Sequence, residues 1–432
     1  MRSSLKLLGV ITRALILLAC VEHVGSAQAT AIRFAHLVDG KGGLVNDAVV
    51  VVQAERITSV GSGTRAIPTG AKVIDLRPLT GIPGLIDVHT HMTYYWDQKP
   101  GTQPWSQQGR RRSAETVFLA QENARKTLEA GVTTVRDLGA SEYGDIAMRD
   151  LINRGAMVGP RMFVAGFGLS RQRTPPRPGS PPGPPRGRIA DIADIPVAVK
   201  AQVDAGADWI KVYGSTGSAA DVSGDETFTF EEMKAAVDAA HAAGKRIAIH
   251  SYGPQGGRDA MRAGAESVEH AVDLDDSTLA EMATRGTYYV PTIDHNRYYA
   301  EYHERFGYTP EQVAGLDAYR ARNIETARRA WKAHVKFAMG SDAVFTMFGQ
   351  NTRELGWFVQ IGMTPAEAIA TATTNAAALL DMSQSLGAVA PGYYADLVAV
   401  AGDPLHDIHA VIDSVRWVMK GGQVVVDTRS RR

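Results

Sequence analysis

The middle of this chain alternates short apolar runs with alanine-rich amphipathic stretches, and glycine closes the stretches. "SAETVFLAQENARKTLEAG" leads into "VTTVRDLG", and "TFEEMKAAVDAAHAAG" leads into "KRIAIHSYG". A helix that stops at glycine and feeds a β-rich run is the signature of a strand–helix repeat, which folds as a parallel α/β sheet. The span and number of repeats suit a TIM-like (β/α)₈ barrel, whose reactive groups sit at the C-terminal ends of its strands. A doubly wound open sheet is the alternative, but no glycine-rich dinucleotide loop opens the first unit. Before the repeats, "IRFAHLVDG", "DAVVVVQAERITSVGSG" and "AKVIDLRP" read as short strands separated by turns, and the texture returns in "ADLVAVAGDP" and "VRWVMKGGQVVVD".

Charge narrows the partners. Lysine plus arginine number 46 and aspartate plus glutamate 46, so no net field draws the chain to nucleic acid or an anionic membrane. The single cysteine, Cys20, excludes an intrachain disulfide framework and a cysteine-ligated zinc site. Residues 1–29 read as an export signal: Arg2, Lys6 and Arg13 precede the apolar "ALILLACV", and "SAQA" offers a cleavage site after Ala29. The mature protein is therefore expected to be periplasmic or secreted. "LLAC" also resembles a bacterial lipobox, which leaves open a membrane-anchored lipoprotein lipidated at Cys20. One segment breaks the repeats: "SRQRTPPRPGSPPGPPRGR", residues 170–188, is too rich in proline and glycine for a regular element. It reads as a solvated insertion or a lid over the strand ends, with Arg171 and Arg173 available to a carboxylate.

Candidate chemistry gathers at the strand ends. In "GLIDVHTH", residues 84–91, His89 and His91 stand two apart and share a face, as two nitrogen ligands of one metal require. "ADWIKVYG" places Trp209, Lys211 and Tyr213 on one face and Ile210 and Val212 on the other; a lysine turned into a barrel is costly unless paired or chemically altered. "RIAIHSYG" ends in His250, which shares its inward parity with Tyr252, "ESVEHA" ends in His270, and "VKFAMGSDA" in Asp342. Singly, each has an ordinary explanation as a rim, turn or cap residue. Together, four histidines, one lysine and one aspartate at successive strand ends read as a metal site. Tyr213 and Tyr252 are candidates to donate a hydrogen bond to substrate, and His295 in "PTIDHN" is a weaker one.

These residues resemble those of the amidohydrolase superfamily, most closely its imidazolonepropionase-like branch, which includes binuclear Xaa-Pro dipeptidases and ochratoxin-hydrolysing amidases. The resemblance covers almost all of the mature chain. It implies a metal-dependent hydrolase barrel over residues 84–383 and a small β-sandwich domain built from residues 30–83 and 384–428. It implies two divalent metal ions, zinc by default with manganese or cobalt open, and a Lys211 carbamylated by carbon dioxide to bridge them. His89, His91 and Asp342 would hold one ion and His250 and His270 the other, with Asp342 also moving the proton. The implied reaction is metal-assisted hydrolysis of a C–N amide bond in an Xaa-Pro-type dipeptide or an N-acyl amino acid of ochratoxin type. Alternatives are a cyclic imide or amide hydrolase, a lactonase, or an exported binding protein without catalysis. A deaminase and a peptide-docking module built on the polyproline segment explain less of the residue set. The proline-arginine insertion departs from the pattern, and a homo-oligomer is left open.

Overall fold

The computed structural model describes residues 28–108, 111–171, 187–217, 222 and 224–429. The expected signal segment up to residue 27, Cys20 with the lipid anchor that its lipobox left open, and residues 172–186 of the proline-rich insertion, including Arg173, lie outside the described residues.

Eight short parallel strands carry the centre of the molecule: β1 (Leu85–Thr90), β2 (Val132–Asp137), β3 (Arg161–Val164), β4 (Trp209–Tyr213), β5 (Arg246–Ser251), β6 (Ser267–His270), β7 (Tyr288–Val290) and β8 (Lys336–Phe337). Each pairs with its neighbour in chain order, β1 through β3 in one ladder and β4 through β8 in another. Single bridges join the two arcs. Leu169 pairs with Val212 beyond β3, and Thr90 pairs with Ala343 beyond β8. The architecture is a TIM-type α/β fold whose ring is bonded as two ladders and two seams instead of one closed ladder. The second seam has a local cause: β8 is only two residues long, and Asp342 adopts φ 52°, which ends extended pairing.

The intervening helices form where the repeats predict them. Ser113–Glu129 and Phe230–Ala242 are two of them; Pro254–Ala263 is a further helix of the same layer, and Gly206, Gly264 and Gly286 each close a helix in the left-handed conformation. Alternation along β4 is resolved in the packing. Ile210 and Val212 join the apolar cluster shared with helix residues such as Met233 and Ala236. Trp209 joins a second cluster with Ala248, Val290 and Ala338, floored by Ala376 and Leu379. Each fully buried aliphatic side chain contributes about 1.5–3 kcal/mol to holding these layers.

Both ends of the chain build a second sheet. Thr80–Pro83 pairs antiparallel with Leu397–Val400, with Ile82 opposite Val398, so the two termini meet in one ladder. The expected sandwich differs in detail: hydrogen bonding joins all eight terminal strands into one mixed sheet, because Thr30–Val38 is shared by Leu44–Gln53 on one side and by Lys72–Asp75 and Thr80–Pro83 on the other. Phe34, Val50, Leu397 and Trp417 share its core.

Candidate metal centre at the strand ends

The six residues proposed from sequence as ligands converge at the C-terminal end of the ring. His89 lies in β1 with His91 just beyond it, Lys211 in β4, His250 in β5, His270 at the end of β6, and Asp342 after β8. All six are buried, and the most accessible, His91, is 7% exposed. Asp342 Oδ1 stands 3.5 Å from His89 Nε2 and 3.3 Å from His91 Nε2. The His270 ring lies 5.1 Å from that of His89 and 4.6 Å from that of His250, centroid to centroid. One set of donor atoms, from His89, His270 and Asp342, falls within 4.8 Å of one another. That set draws on both of the ligand groups expected from sequence. His270 (φ 76°) and Asp342 (φ 52°) hold left-handed backbone, uncommon for residues with a Cβ and typical of functional positions.

The donor set fits a cation. Among the described residues, the Lys211 Nζ and His250 Nε2 atoms are buried without a hydrogen-bond partner, a costly state for polar atoms. The other histidines spend Nδ1 on the protein: His89 on Glu269 Oε2 at 2.7 Å, His91 on the Gly139 carbonyl at 3.0 Å and His270 on Thr292 Oγ1 at 2.7 Å. Such bonds fix ring orientation and leave Nε2 turned to the centre, as metal-holding histidines require. Asp87 supports the frame from behind. Its carboxylate accepts from the backbone N–H of His89 at 3.1 Å and of Ser341 at 2.9 Å, and from Asn351 Nδ2 at 2.9 Å, tying β1 to the Asp342 turn.

Electrostatics follow burial. Burial, reinforced by the Lys211 cation, lowers the His89 pKa to about 4, and burial likewise takes His250 and His270 well below the usual imidazole range. These rings are therefore neutral near pH 7, the form in which imidazole binds a metal. Burial also lowers the Lys211 amine to about 8, against the pull of Glu269 and Asp342. For Asp342, burial works against ionisation, but His295 and His89 outweigh it and hold the carboxyl well below the usual range.

A cavity of about 160 Å³ opens above these groups, walled by Tyr94, Trp105, Tyr213, Tyr252, His295 and Tyr299. Tyr213 Oη donates to the Leu138 carbonyl at 3.4 Å, and the Tyr252 ring stands 4.8 Å from that of His250. His295, the weakest sequence candidate, is in the wall itself: it lies in the first turn of the helix Ile293–Glu301, and its Nδ1 lies 2.9 Å from the Asp342 carbonyl. Arg171 turns away from the cavity to Glu232 and to the Thr227 carbonyl. Sequence reasoning missed Glu269, Arg136, Tyr94 and Trp105. Glu269 had a signal: in "SVEH" it alternates with Ser267, on the face the strand turns inward.

A cluster of buried histidines with a carboxylate and an amine that lacks a hydrogen bond among the described residues, set at the strand ends of a parallel α/β ring, defines a metal-type hydrolytic centre. The model of the amidohydrolase family matches residues 80–425, and the chain belongs to that family. Ochratoxinase of Aspergillus niger is 29% identical over 440 residues, covering 94% of this chain and 88% of the relative. Imidazolonepropionase of Streptomyces avermitilis is 26% identical over 378 residues, covering 82% and 81%. The crystal structure of a Xaa-Pro dipeptidase with methionine bound in its active site is similar at TM-score 0.82 and 32% identity, covering 92% of this chain and 99% of that one. The protein is accordingly a metal-binding hydrolase that acts on carbon–nitrogen bonds, and its fold is of the TIM-barrel type.

Proposed function

We propose that this enzyme hydrolyses the amide bond of a dipeptide of Xaa-Pro type or of an N-acyl amino acid, using two divalent cations. The observation that carries the reading is the buried Lys211 amine, without a hydrogen-bond partner among the described residues, set among four imidazoles and a carboxylate. His89, His91 and Asp342 would hold one cation, His250 and His270 the other, with zinc the default for such donors. Lys211 would bridge them as a carbamate: its neutral amine adds to the carbon of carbon dioxide and loses a proton, turning a cation into a carboxylate. The lowered pKa of that amine supports the step, since more of it is unprotonated near neutral pH. Bound there, the cations would polarise the scissile carbonyl and acidify the attacking water.

The remaining work falls to side chains. Asp342 accepts a proton from the attacking water and returns it to the leaving nitrogen, so that the acyl carbon gains hydroxyl and the amine gains hydrogen. Tyr252 and Tyr213, which line the cavity, would donate to the substrate oxygen or carboxylate, with His295 beside Asp342 as a further contact. The aromatic wall, where Tyr94 stacks on His91 with ring centroids 4.8 Å apart, supports a substrate with an apolar side group. Export is part of the same proposal, supported by the basic-then-apolar composition of residues 1–29.

The test is a hydrolysis panel on the zinc-loaded protein in bicarbonate buffer, with Lys211→Ala as control. It would hold Xaa-Pro and other dipeptides, N-acyl amino acids including ochratoxin A, cyclic imides and lactones. Cleavage of an acyclic amide, lost by about 10²–10³-fold in the control, is expected. Turnover confined to imides or lactones overturns the substrate class, and no turnover with both cations bound overturns the reaction.

A further inference from the structure

The four strand-end histidines are not equivalent in what they do with Nδ1. His91 gives it to the carbonyl of Gly139 and His270 to the hydroxyl of Thr292, while a hydrogen bond to the Thr216 backbone engages the His250 ring. His89 is the one of the four whose Nδ1 meets a carboxylate, that of Glu269, at 2.7 Å. That carboxylate is itself held from across the ring. Glu269 Oε1 accepts from Arg136 Nη2 at 2.9 Å and from Ser267 Oγ at 2.5 Å. Arg136 also donates Nε to the carbonyl of Val88, beside His89, at 2.6 Å. β2 and β6 stand opposite each other in the strand order, so the Arg136–Glu269 pair crosses the barrel interior. Both residues are 0% exposed.

A buried carboxylate needs a compensating cation, and here Arg136 supplies it. A histidine that donates Nδ1–H to a carboxylate is a stronger donor through Nε2 than one that donates to a carbonyl or hydroxyl. We propose that Glu269, held by Arg136, is a positioning residue that strengthens His89 as a ligand, so that the cation held on the His89 side of the centre binds more tightly than the one held by His250 and His270. The inference rests on the two-cation reading above and adds an order of filling to it.

The test titrates the metal-free full-length protein with Zn²⁺ in bicarbonate buffer against a competing chelator, comparing wild type with Glu269→Gln and Glu269→Asp. Wild type is expected to bind in two unequal steps. Glu269→Gln weakens the tighter step about 10–100-fold and leaves the weaker one unchanged, the size of effect seen when a group behind a metal ligand is lost. Glu269→Asp, which keeps the carboxylate, recovers part of that loss. Should the variants fail to fold, ¹⁵N-histidine spectra of the zinc-loaded wild type serve instead: one Nδ1–H proton, that of His89, is expected well downfield of the other three. Two equal steps in wild type, equal weakening of both steps, or four Nδ1–H protons at similar shifts overturn the inference and leave the two-cation reading standing. A wild-type protein that binds no divalent cation overturns both.

Discussion

The terminal sheet and the barrel interior are buried to the same depth and filled with opposite material. Around Trp417, Phe34 and Leu397 the sheet core is apolar, each of these at 0% exposure. Within the ring, Lys211, Arg136, Glu269 and Asp87 are as deeply buried, at 1% exposure or less. Burying charge costs folding free energy that apolar burial does not, even when the charges are paired. The comparison teaches that the terminal sheet carries stability without chemistry, whereas the ring interior accepts a folding cost to hold a reactive geometry.

Substitutions in the two regions should therefore fail in different ways. Trp417→Ala is the largest effect expected on stability, a loss of about 3–5 kcal/mol from the emptied core, read from urea unfolding. Activity per folded molecule should stay at the wild-type level, because Trp417 belongs to the sheet core and is not among the residues lining the candidate site. Lys211→Ala should do the reverse, with turnover falling about 10²–10³-fold and the unfolding midpoint of the metal-free protein no lower, since it removes a buried amine that has no hydrogen-bond partner among the described residues. If either variant lost both properties together, the division between the regions would not stand. Gly340→Ala probes the border. A Cβ there would lie 2.5 Å from Val290 Cγ1 and 2.7 Å from His89 Cβ, so the chain must shift around a proposed ligand. A loss of about 1–3 kcal/mol from overpacking is expected, accompanied by weakened cation binding on the His89 side. Loss of stability with unaltered cation binding would show that the frame behind His89 has more give than its contacts indicate.

The two regions also differ in how much of them can be read from sequence. Terminal strands follow alternation and turn chemistry, which are local, and their existence is visible in "DAVVVVQAERITSVGSG". Lys211 and His250 are visible for the same reason, through parity along apolar strands. His270 and Asp342 were found only as strand ends, since their left-handed backbone breaks the period-two rule that would orient them. Glu269 has a parity signal, but its partner Arg136 lies 133 residues away on the opposite strand, and no local pattern reports a contact across the ring. Tyr94 follows β1 in irregular chain, and Trp105 sits in the five-residue helix Pro104–Gln108, too short for a period to show. The continuity of the terminal sheet was hidden too: it depends on Thr30–Val38 serving two strands on one edge, a matter of register over distance.

The smallest effect tests whether the outer layer of the barrel behaves as the terminal sheet does. Thr229 caps the helix Phe230–Ala242, which follows the strand bearing Lys211. Its Oγ1 accepts from the Glu232 N–H at 3.3 Å, and the Glu232 carboxylate accepts from the Thr229 N–H at 3.0 Å. Thr229→Ala removes the first bond and leaves the second, and the first is long, so the loss should fall near the low end for a cap, about 0.5–1 kcal/mol. Glu232 also pairs with Arg171, which keeps the helix start anchored after the change. Cation affinity and turnover are expected to match wild type, since, among the described residues, the side-chain bonds of the cap involve none of the six candidate ligands. A change in either would mean that the helix start is coupled through β4 to Lys211, and the line between stability and chemistry would then lie outside the barrel wall instead of within it.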